Sequence, residues 1–177
     1  MWAALAKYGP FWALYGGAAL LALVATWRDR STRWVAIALL STCLLSNIFW
    51  FVGPPQHRPG VYAALQMCVA IRAWFAWIEV RFRQSPCSQE QWALIAVVGL
   101  ALLHIGADTG YLVVLHGDPA LLGSFTLTTN LLFLAECLVV VGVGVCERYR
   151  SGGLSWLARF RRMPVPSHGV ATRGADE

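Results

Sequence analysis

Five long apolar runs constrain this chain more than any other feature. Pro10 to Trp27, Trp34 to Val52, Val61 to Val80, Trp92 to Leu115 and Leu121 to Val145 each approach or exceed the ~20 residues that a helix needs to cross ~30 Å of hydrocarbon. Backbone amides in hydrocarbon have no water to pair with, so runs of this kind close their hydrogen bonds internally as helices. Of the 177 residues, 58% are hydrophobic and 13% charged, about half the usual charged share, too few to cover the apolar surface of a soluble fold. The expected fold class is all-α. The chain reads as a polytopic membrane protein with a bundle of about five transmembrane helices over residues 1–150 and a basic cytoplasmic tail over 151–177.

Charge sets the expected orientation. Arg28, Arg30, Arg33, Arg81, Arg83 and the later arginines Arg148, Arg150, Arg159, Arg161, Arg162 and Arg173 fall on one side of a five-span model. Lys7 and Arg58 fall on the other, with Arg72 inside a span. The positive-inside rule then puts the N-terminus outside and the C-terminus in the cytoplasm. Trp2, Trp12, Trp27, Trp34, Trp50, Trp92 and Tyr111 lie near the run ends, where amphipathic rings favour the headgroup level. Basic residues follow the first run and barely precede it, the reverse of a cleavable signal peptide, so that run reads as a retained helix. In the tail, Leu154 to Met163 places Trp156 and Phe160 on one helical face among arginines. That stretch suits an anionic leaflet, or else is a solvated run that only sets orientation. From Pro164 onward the composition predicts disorder. The net charge of +5 is dispersed between apolar runs instead of forming one basic face, so no nucleic-acid partner is expected.

Polar side chains at membrane depth are costly and normally face the bundle interior. They are Asn47 on the second span, Gln66 and Arg72 on the third, His104 and Asp108 on the fourth, and Thr126, Thr129, Asn130 and Glu136 on the fifth. His104, Asp108 and Tyr111, spaced by four and three, share one helical stripe. Gly106 and Gly110 beside them permit close approach of a neighbour. The expected network pairs Arg72 with Asp108 or Glu136 and is completed by Asn130 and His104. Its two readings are interhelical hydrogen bonds, worth ~0.6 kcal/mol each, or a path for a proton, ion or small ligand.

Several chemistries find no residues to carry them. His104 is the one histidine inside a span, which excludes a bis-histidine haem. The five cysteines Cys43, Cys68, Cys87, Cys137 and Cys146 include no C-x-x-C pair and read as free thiols. The H-x-x-x-D spacing supplies at most two ligands where zinc wants three or four, so no metal and no cofactor is expected. The loop groups His57, His116 and Asp118 read as solvated. There is no G-x-S-x-G and no phosphate-binding glycine loop, so an enzyme is not expected. Arg33 to Ala38 (RWVAIA) echoes Gln91 to Ala96 (QWALIA), as a repeated helical hairpin would.

In length, span number, tryptophan content and external N-terminus the chain resembles the translocator-protein family of small-ligand binders. The likeness is one of gross architecture: Arg28 to Arg33 stand where that family has a Trp- and Pro-rich first loop, and Gly53-Pro54-Pro55 follows the second span here. It implies a membrane-embedded small-ligand binder. The leading expectation from the residues themselves is a non-enzymatic inner-membrane subunit, accessory or scaffold protein with a buried polar network. A small channel or transporter, including a phage holin-like permeabilising protein, is the alternative. The expected surroundings are the lipid bilayer, a second copy or another membrane protein, and a bacterial or phage-encoded origin.

Overall fold

The computed structural model describes residues 2–52, 57–83, 89–113 and 119–150. They form five helices: α1 (Trp2–Thr26), α2 (Arg30–Val52), α3 (Arg58–Arg83), α4 (Gln89–Val113) and α5 (Leu122–Arg150), the last preceded by a 3-10 turn at Pro119–Leu121. Side chains of α1 are described from Ala13. Four of the helices, α2 to α5, are long and apolar enough to cross a membrane, and the described part of α1, Ala13–Thr26, is apolar but shorter. Residues 151–177, including the amphipathic stretch Leu154 to Met163, lie outside the described residues. Met1–Cys146 forms one compact unit.

Helix α2 starts before the apolar run expected for it because a polar residue closes its first turn. Asp29 caps α2: its carboxylate accepts from the Thr32 amide at 2.9 Å and from the Ser31 amide at 3.4 Å, satisfying two of the amides that a helix start leaves orphaned. The Thr32 hydroxyl also donates to Asp29. At its other end α2 is tied to the start of α3, where Arg58 donates to the Trp50 carbonyl at 2.8 Å and lies over the Trp50 ring at 4.3 Å.

Neighbours in sequence pack side by side, and α5 closes the set against α4 and α1. Ser31 meets Glu79 and Thr42 meets the Leu65 carbonyl, so α2 and α3 are antiparallel. His104 meets Glu136 and Tyr111 stacks on Phe125 at 4.3 Å, so α4 and α5 are antiparallel as well. Tyr15 packs edge-on against Phe133, and Ala25 lies against Gly144, so α1 and α5 run in the same direction.

The inward stripes are built from small residues. Ala19, Ala22, Ala36, Ala70, Ala73 and Ala101 are buried. On α4 the buried positions Glu90, Leu94, Val97, Ala101, His104, Asp108 and Tyr111 alternate spacings of four and three, the seam of left-handed helix packing. The large apolar side chains point the other way: Leu20, Ile48, Phe75, Trp92, Leu103 and Leu138 are all exposed. A surface of this kind is stable in hydrocarbon and would aggregate in water. Small residues inside and bulky ones outside are how helices approach closely when lipid competes for the apolar surface. At the hairpin echo, Trp34 and Trp92 both face outward and Ala36 and Leu94 both face inward.

Gly144 marks a tight crossing of α5 over α1. A Cβ built there would sit 2.5 Å from the Ala25 carbonyl oxygen, a backbone atom that cannot turn aside, whereas one at Gly142 meets nothing within 4 Å. Gly144→Ala is therefore expected to lower stability by roughly 1–3 kcal/mol through overpacking. Gly142→Ala should be close to neutral. Thermal unfolding of the two variants in the same detergent measures the difference.

Candidate functional site

One end of the bundle carries an ion-paired hub around Glu79. Its carboxylate accepts from the Ser31 hydroxyl at 2.8 Å and faces Arg72 and Arg83, each at 3.6 Å. The spacing on α3 makes this possible: Glu79 stands two turns beyond Arg72, and the long arginine stem reaches along the helix toward the polar end. The expected pairing of Arg72 with Asp108 or Glu136 is thus not formed. Glu79 lies one turn from the end of α3 with 38% of its side chain exposed, so satisfying Arg72 there costs less desolvation than carrying its charge inward.

The deeper cluster lies between α3, α4 and α5. His104 Nδ1 is 3.4 Å from Glu136 Oε1, with the two side chains 8% and 0% exposed. Gln66, from α3, is fully buried and faces the same carboxylate. Asp108 lies one turn from His104 on the same stripe and is 0% exposed. Both of its carboxylate oxygens lack a hydrogen-bond donor, as do Glu136 Oε2 and the acceptor oxygen Gln66 Oε1. Glu136 is the middle residue of α5, and Asp108 lies roughly 8 Å from the end of α4 at 1.5 Å per residue. Tyr62, one turn before Gln66 on α3, is close enough to Asp108 and Arg58 to feel the charge of both.

Of the residues the sequence singled out, His104, Asp108, Glu136 and Gln66 come together. Arg72 joins the other hub. Asn47 turns back on its own helix, donating to the Cys43 carbonyl at 2.7 Å. Asn130 is half-buried on α5 and makes no hydrogen bond to the cluster among the described residues. Thr129 donates back to the carbonyls of Phe125 and Thr126. Sequence reasoning missed Tyr62, Arg58 and Glu79. The spacing of four that joins Arg58, Tyr62 and Gln66 was the available signal for the first two.

Chemically, the cluster holds two carboxylates and an imidazole in a low-dielectric setting with too few donors. An ionised carboxylate buried without donors costs many kcal/mol, so such oxygens are stable when a proton or cation neutralises them. Among the described residues no three His, Cys, Asp or Glu side chains converge closely enough to hold a metal ion. Cys43 and Cys137 are buried and free, and Cys68 and Cys146 are exposed and free. No family model, no curated protein and no solved structure matches the chain, so the likeness to the translocator-protein family remains one of gross architecture.

The stability of two variants separates a structural Asp108 from an unengaged one. No donor loses a partner in Asp108→Asn, so its stability is expected to stay within about 1 kcal/mol of the wild type or to rise. His104→Leu removes one of the two groups that face Glu136, the Gln66 amide being the other, and is expected to cost roughly 1–3 kcal/mol. Denaturant unfolding in detergent measures both, and the reverse order would mean that the Asp108 oxygens are engaged in holding the fold.

Proposed function

We propose that this is a five-span inner-membrane protein of bacterial or phage origin, N-terminus outside and C-terminus in the cytoplasm, that carries protons through a site inside its bundle. The supporting observation is Asp108: fully buried, with two unpartnered oxygens, beside the His104–Glu136 pair. A network serving only to glue helices together would pair its acceptors with donors, as the Glu79 hub does with Ser31, Arg72 and Arg83. The residues at the deeper site are instead the protonatable ones that intramembrane proton relays use.

The orientation rests on the distribution of arginine. Arg28, Arg30 and Arg33 flank the turn between α1 and α2 and Arg81 and Arg83 end α3, all at one end of an alternating set of helices.

Reconstituted vesicles test the function. Under an imposed pH gradient with potassium and valinomycin to clamp charge, vesicles containing the wild-type protein should acidify at least tenfold faster than empty ones, and Asp108→Asn vesicles should match the empty ones. Wild-type vesicles no faster than empty ones would overturn the carrier reading and favour a subunit, accessory or scaffold role for the same fold.

A further inference from the structure

The polar groups of the bundle interior are distributed unevenly along its length. Toward the α3 N-terminus, Arg58, Tyr62 and Gln66 form a ladder with spacing four, and Asp108 and Tyr111 face that region from α4. The same half of α5 contributes Thr126, Thr129 and Asn130, all half-buried. Toward the other end the interior changes character. Between Gln66 and Glu79 the buried residues of α3 are Val69, Ala70, Ala73 and Ala76, and between His104 and Gln91 those of α4 are Leu94, Val97 and Ala101. From Gln66 to Ala76 this apolar segment is ten residues, or about 15 Å of helix. None of these buried side chains can take or give a proton, and Arg72, half-buried on the same stretch of α3, is turned to Glu79.

We propose that the Asp108–His104–Glu136 cluster is open to one face of the membrane only, the face at the Arg58 end, through Tyr62 and Gln66, and that the Ala, Val and Leu segment seals it from the other. This rests on the carrier reading and specifies it: a site loaded from one side belongs to an alternating carrier and not to an open pore. The charged and titratable groups around Asp108 fit that task. Tyr62 and Arg58 lie on the approach, while His104 on its own helix and Glu136 on α5 lie deeper. Arg58 is drawn aside by its hydrogen bond to the Trp50 carbonyl and its stacking on the Trp50 ring, which anchors its guanidinium to the end of α2. The alanines of the seal are fully or almost fully buried, and such small faces let helices pack without room for a file of water.

Thiol accessibility tests the route without relying on transport. Single variants Tyr62→Cys, Gln66→Cys, Ala73→Cys and Val97→Cys are exposed, in right-side-out and in inverted vesicles, to a small membrane-impermeant aminoethyl thiosulfonate, and the added mass is read against the unsubstituted protein. His57→Cys, at the exposed start of α3, marks the Arg58 face. Cysteines at 62 and 66 are expected to react at least tenfold faster from the face that modifies His57→Cys, with those at 73 and 97 unreactive from either. Equal reaction of the 62 and 66 thiols from both faces, their protection from both, or modification at 73 or 97 from the opposite face would overturn the proposal. Having two positions on the route keeps the test valid if one variant fails to fold. One-sided labelling in a protein without proton flux would leave the access route standing and remove the carrier reading, while flux with two-sided labelling would do the reverse.

Discussion

Small side chains set the distance between these helices, and the other features depend on that distance. In lipid, burying a leucine between helices gains little over leaving it among acyl chains, so association rests on close contact and on polar pairing. Alanine supplies the contact along α1, α2, α3 and α4, and Gly144 brings α5 onto the backbone of α1. The bulky residues are then displaced to the outer surface, where hydrocarbon receives them. Close spacing also lowers the local dielectric, which raises the cost of every unpaired polar atom inside.

Against that background the two polar hubs are physically different. Glu79 has a hydroxyl donor and two guanidinium groups, and with 38% of its side chain exposed it holds its charge near the polar edge. It ties the start of α2, through Ser31, to the last turns of α3. Asp108 and Glu136 sit deeper with a single imidazole and one amide between them. A fold gains nothing from a carboxylate without donors, which is why the deeper hub carries the functional reading and the shallower one the structural reading. On the buried face of α3 they are separated by Val69, Ala70, Ala73 and Ala76, and Arg72, on the same stretch, is paired with Glu79 and not with the deeper carboxylates.

Much of this was legible in the residues. Hydropathy over some twenty positions is a strong signal because the bilayer imposes a length, and each of the five runs became a helix. Helix ends were less legible, since Asp29 and Arg58 act through side-chain bonds that hydropathy ignores. The spacing of His104, Asp108 and Tyr111 placed them on one stripe, and that stripe is buried. Which partner each polar group takes depends on the relative rotation of neighbouring helices, and that is absent from any single run. Arg72 illustrates this: its depth points to carboxylates on other spans, but one on its own helix, two turns away, is cheaper to reach. Asn47 likewise found a carbonyl on its own helix.

The central claim is that Asp108 takes up a proton inside the bundle. Infrared difference spectroscopy of the protein in lipid, recorded across a pH titration, reads it directly through the carbonyl stretch of a protonated carboxyl group. The account predicts a band in the protonated-carboxyl region that changes with pH and disappears in Asp108→Asn, while a full replacement of Glu79 by Gln leaves it in place. A spectrum with no pH-dependent carboxyl band, or a band unchanged in Asp108→Asn, would contradict it.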